Sequence, residues 1–131
     1  MAQIGTSPYR LSNLVKAEFW TEHGYCRSVE TVNITAGADL VVGSVLGLVT
    51  ATGKYTISDP AATDGSEVAA AICSQNITVP AATDTSVVLF VDGPMIVGRE
   101  ALNYGVAHDA GQKATAESEL AALGIKVRAQ V

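Results

Sequence analysis

A chain of 131 residues can form one domain with its own core, and because 48% of it is hydrophobic but only 5% aromatic, that core must be built from small aliphatic side chains suited to thin strands. The formal charge of −5 lies entirely between residues 36 and 92, where Lys54 alone opposes Asp39, Asp59, Asp64, Glu67, Asp84 and Asp92; this argues against direct nucleic-acid binding, which needs a clustered basic face. Two cysteines, Cys26 and Cys73, are too few for a disulfide framework. The amino terminus MAQIGTSPYRLSNLV lacks the form of a signal peptide, and no apolar run is long enough to cross a bilayer, so a cytoplasmic product without membrane contact is expected.

Residues 1–28 read as an extended or flexible arm and residues 29–131 as a single β-rich body. The arm lacks sustained periodicity, yet Tyr9, Phe19, Trp20 and Tyr25 are four of the seven aromatics in the chain. Two readings stand side by side: these side chains anchor the arm on a partner or another subunit, or Phe19 and Trp20 fold back over the domain's own core.

The body begins with an expected strand at 29–34, followed by strands at 41–50, 55–58, 68–74, 87–91 and 95–97. Asp39, Asp59-Pro60, Asp64-Gly65 and Asp92-Gly93-Pro94 punctuate them. VLGLVTATGKYTIS reads as a hairpin turning at residues 51–54. Gly47, Gly53 and Lys54 resemble a phosphate loop only superficially, because the glycine spacing is wrong, Tyr55 stands where a hydroxyl should hold Mg²⁺, and a strand pattern follows. The pentapeptide PAATD occurs at 60–64 and again at 80–84 with unlike flanks, which predicts two similar exposed loops rather than a solenoid. A short helical turn is expected around 99–104. A helix capped by Thr115, with Glu117 and Glu119 in its first turn, should end at Gly124, with Ile125 packing back and residues 126–131 forming a last strand.

Catalytic and metal-binding constellations are not legible. His23 and Cys26 supply two ligands where a structural zinc site needs four, and neither cysteine carries a nucleophile signature toward His108 and Asp109. No enzymatic activity, cofactor or metal is expected; a hydrolase would require Cys26 or Cys73 beside His108. A β module binding a small ligand or carbohydrate is the main rival reading, and an aromatic-lined polar pocket would support it.

The run AGADLVVGSVLGLVTATGKYTISDPAATDGSEVAAAI, followed by REALNYGVAHD and LAALGIKVR, resembles the head decoration proteins of tailed bacteriophages over residues 29–131, while the arm agrees only in character through SPYRLSNLV. The resemblance implies a mainly β, barrel-like or sandwich-like body with one or two short helices. It also implies a homotrimer on the outer surface of the expanded capsid, bound to the major capsid protein and holding the head against the pressure of packaged DNA. Such a protein is made in the host cytoplasm and ends in the virion. In this reading Tyr9, Leu11, Leu14, Phe19, Trp20 and Tyr25 are the capsid-binding residues.

Overall fold

A computed structural model describes residues 15–18, 27–92 and 95–129. Along these residues run β1 (Val15–Glu18), β2 (Arg27–Val32), β3 (Ala38–Leu40), β4 (Val45–Val49), β5 (Lys54–Ile57), β6 (Ala69–Cys73), β7 (Ile77–Val79), β8 (Thr85–Phe90) and β9 (Met95–Gly98). A 3-10 turn (Arg99–Ala101), helix α1 (Ala110–Ala122) and β10 (Ile125–Arg128) follow. The protein is mainly β, as expected.

Five strands close into a barrel in the order β2-β5-β4-β6-β8. Its ladders are antiparallel except at the seam, where β2 meets β5 in parallel through the single pair Val32↔Tyr55. A barrel of so few strands has an interior that side chains alone can fill. Val32, Leu46, Ala71, Cys73, Val87 and Leu89 point into it and are buried. Strand alternation sends Val45, Ile72 and Phe90 outward into a second core, where they meet Met95 and Val97 of β9, Ala116 and Leu120 of α1, and Ile125 of β10. The barrel wall between β4, β6 and β8 is therefore apolar on both faces. A register shift between Leu46 and Gly47 places Ala69 opposite Gly47 and turns Ala69 toward the second core.

Outside the barrel, β1-β9-β10 form an open sheet, with β1 antiparallel and β10 parallel to β9. The residues of β1 fall within the segment read as the arm and pair with β9 at Val15↔Val97, Ala17↔Ile96 and Glu18↔Met95. Strands β3 and β7 make a separate antiparallel pair.

The hairpin forms as read: Val49 pairs with Lys54 and Leu46 with Ile57, and the turn closes at Gly53, whose φ of +70° is the left-handed region that favours glycine. Three expectations need correction. The strand expected at 41–50 is shorter, since β4 covers only Val45–Val49 and a turn precedes it: Gly43 takes φ +103°, and an added Cβ there would lie 2.1 Å from the Ala101 carbonyl oxygen. The backbone turns sharply at this point and lets the 3-10 turn pack close. The helix starts six residues earlier than a cap at Thr115 implies: the Asp109 carboxylate accepts from the Gln112 N–H at 2.8 Å while the Gln112 side chain accepts from the Asp109 N–H at 2.9 Å. This reciprocal capping box makes Asp109 the cap, and Glu117 and Glu119 lie beyond the first turn. The helical turn near Arg99 is confined to Arg99–Ala101.

Candidate functional site

The six residues read as capsid contacts, Tyr9, Leu11, Leu14, Phe19, Trp20 and Tyr25, lie outside the described residues, as do His23 and Cys26. The structure describes where part of their segment joins the body. Strand β1 has one partner among the described strands, β9, so its other edge is open in the described pairing. An open edge presents backbone donors and acceptors to an added strand, whereas a barrel closed on itself has used them.

Among the described residues, Cys73 and His108 are the two groups that the sequence offered for nucleophilic chemistry. Cys73 is fully buried inside the barrel, and burial pushes its thiol above the usual range, which leaves it a poor nucleophile. His108 belongs to the surface beside α1: its Nδ1 donates to the Val106 carbonyl at 2.6 Å, and its ring leans on Tyr104 with centroids 4.5 Å apart. The two residues occupy different parts of the molecule, one in the barrel interior and one outside it. No group of three His, Cys, Asp or Glu side chains that could hold a metal ion occurs among the described residues. Lys54, which the phosphate-loop reading would have placed on an anion, pairs with Asp84 at 3.0 Å.

The two PAATD loops converge on the hairpin turn by different contacts. Asp64 caps its own loop by accepting from the Ser66 hydroxyl at 2.6 Å and the Ser66 N–H at 3.0 Å, and these bonds hold its carboxyl below the ordinary range. Its backbone carbonyl accepts from the Thr50 N–H. Asp84 instead accepts from the Asn33 amide at 2.7 Å and from Lys54, which likewise lower it. Between them opens a polar cleft of about 300 Å³ lined by Asn33, Thr35, Thr52, Lys54 and Asp64.

Two larger clefts flank α1. One, of about 550 Å³, runs between α1 and the β5–β6 loop past Glu67, His108 and Glu119. The other, of about 430 Å³, runs between α1 and the 3-10 turn past Arg99, Tyr104 and Lys113. Tyr104 is the one Phe, Tyr or Trp among the residues lining these three clefts, so none has the aromatic walls that a carbohydrate site would use. The Tyr104 hydroxyl is buried without a hydrogen-bond partner among the described residues, and burial, aided by the charge of Glu117, pushes it up to about 12. Glu117 itself pairs with Arg99 at 2.9 Å, and Glu119 accepts from the Ala69 N–H at 2.9 Å, which pins α1 to the irregular end of β6.

The family model of bacteriophage lambda head decoration protein D matches residues 9–125. The chain belongs to that family. Its role is accordingly structural and its place is on a phage head. No curated protein matches the chain. The family match begins at Tyr9, before residue 29, and so takes in most of the segment read as the arm. It ends at Ile125, the first residue of β10. No described helix is long and apolar enough to cross a membrane.

Proposed function

We propose that this head decoration protein binds the outer surface of the expanded capsid as a homotrimer, through the major capsid protein, and fastens the shell against the pressure of packaged DNA. Residues 1–28 act as the arm and residues 29–131 as the body, and Tyr9, Leu11, Leu14, Phe19, Trp20 and Tyr25 supply the arm's contacts with the shell. The observation that carries this reading is the family match across both arm and body. The pairing of β1 with β9 supports it physically, since it joins the arm to an open sheet and would pass a load on the arm into the folded body. Three arms on one trimer raise the effective concentration of each contact, so individually weak contacts give a long-lived clamp.

The test is cosedimentation of the full chain with expanded and unexpanded shells of its own phage, with heat and chelator challenge of decorated and bare heads. Binding selective for expanded shells, and bare heads that lose DNA at lower temperature, are the expected results. Equal lability of the two kinds of head overturns the stabilising role. Deletion of residues 2–14, which spares β1, should leave a folded body that binds shells weakly; undiminished binding removes Tyr9, Leu11 and Leu14 from the contact.

A further inference from the structure

Six cationic side chains can be followed among the described residues outside β1. Lys54 pairs with Asp84 and Arg99 with Glu117, while Arg27 lies over the Phe90 ring at 5.2 Å and Lys113 over the Tyr104 ring at 5.7 Å. The other two, Lys126 and Arg128, stand on β10, both exposed, with no hydrogen bond or ion pair to a described residue. They are two residues apart on one strand, so they project from the same face. The alternate residue Ile125 is buried in the core, which puts that face on the outside of the open sheet. Ile96, the β9 partner of Lys126, is half-buried on the same outer face. Both cations lie past the end of the family match.

The chain also carries the complement. The loop from β5 to β6 holds Asp59, Asp64 and Glu67 and no cation, and each carboxylate is bonded only within the loop. Next to Glu67, Val68 is 44% exposed. One surface thus combines two positive charges with an aliphatic side chain, and the other combines three negative charges with an aliphatic side chain. No ion pair joins them within the chain among the described residues. A closed ring of three requires this arrangement, because each subunit must offer one surface to one neighbour and a different, matching surface to the other.

We infer that the outer face of the open sheet, through Lys126 and Arg128, seats against the Asp59–Val68 loop of a second copy of the chain, head to tail. This rests on the homotrimer reading and names the surfaces that make it. Charges at such a contact are screened by salt, so the association is strongest at low ionic strength.

Sedimentation equilibrium of the full chain at low and high salt tests the assignment, using Lys126→Glu with Arg128→Glu, Glu67→Lys alone, and all three changes together. The altered side chains are exposed, and thermal unfolding of each variant establishes that it is folded. Reversing the β10 charges is expected to weaken association by about tenfold and to flatten its salt dependence; Glu67→Lys should weaken it less, and the combined variant should recover much of the loss. Wild-type association in the β10 variant overturns the proposal, since the two cations would then merely discourage edge-to-edge pairing. A combined variant weaker than either parent overturns the pairing of these two surfaces. Wild-type chain that binds shells yet stays monomeric at every concentration defeats this inference and leaves shell binding standing; wild-type chain that forms trimers but ignores shells does the reverse.

Discussion

The barrel and the open sheet beside it satisfy their backbones in opposite ways. In the barrel each strand finds neighbours on both sides, and the interior is filled by residues that β-alternation supplies. The sheet β1-β9-β10 ends in two edge strands in the described pairing and shares its core with the barrel's outer wall and α1. The lesson is a division of labour: the closed part supplies a second apolar face, and the open part leans on that face while its edge strands stay unpaired on one side in the described pairing.

The sharpest way to break this division is through the shared wall. Phe90 is fully buried on the outward face of β8, so Phe90→Ala should cost about 3–5 kcal/mol and lower hydrogen-exchange protection in the barrel and in α1 together. Loss confined to α1 would mean that the barrel is indifferent to its covering layer. Next in size is Gly43→Ala. Its φ of +103° and the Ala101 carbonyl 2.1 Å from an added Cβ make a loss on the order of 2 kcal/mol or more the expected result, seen as a lowered urea midpoint. Gly53→Ala provides the contrast, since no atom lies within 4 Å of its added Cβ and only the backbone strain, about 1 kcal/mol, remains.

A smaller effect probes the bond between the two parts. Glu119→Ala leaves the N–H of buried Ala69 without its acceptor, and about 1–2 kcal/mol of stability should go, with Glu119→Gln restoring part of it because an amide oxygen can still accept. The least disruptive change is Tyr104→Phe. It removes a buried hydroxyl that bonds to none of the described residues, so stability at pH 7 should stay level or rise by less than about 1 kcal/mol. The wild-type phenol, raised to about 12 in the fold against an ordinary value near 10, favours the folded state while neutral. That contribution is complete below about pH 10 and disappears between about pH 10 and 12, so alkaline titration should show a steeper loss for wild type than for Tyr104→Phe. Equal slopes would indicate that Tyr104 is as open to water in the folded chain as in the unfolded one.

The parts of this fold that were legible in the sequence are those made by neighbours in the chain. The β4–β5 hairpin could be read because its pattern and its turn glycine sit side by side, and the end of α1 because Gly124 has only one natural role there. Strands β3 and β7 escaped notice: each is three residues long, and each exists only through the other, which lies nearly forty residues away. The first turn of α1 was missed for a different reason. Ala110, Gly111, Gln112 and Lys113 show no apolar periodicity, and the signal that was present, an Asp followed three residues later by Gln, is a matter of capping rather than burial. Of the interaction surfaces, the arm's aromatics stood out by composition. The significance of Lys126 and Arg128 did not, because it depends on β10 lying parallel to β9 and on every other described cation outside β1 being occupied.

The register of β1 against β9 has a mechanical meaning. Antiparallel hydrogen bonds run perpendicular to the strands they join. A pull on the residues before Val15, directed along the strand axis, therefore loads the pairs from Val15↔Val97 to Glu18↔Met95 together, as a lap joint is loaded, rather than peeling them one at a time. Strand β9 hands the same tension to β10 through a parallel ladder on its far side and to the barrel through Met95 and Val97. A short strand in this position resists sudden traction along its axis far better than its length suggests, and yields most readily to a force that lifts it sideways off β9.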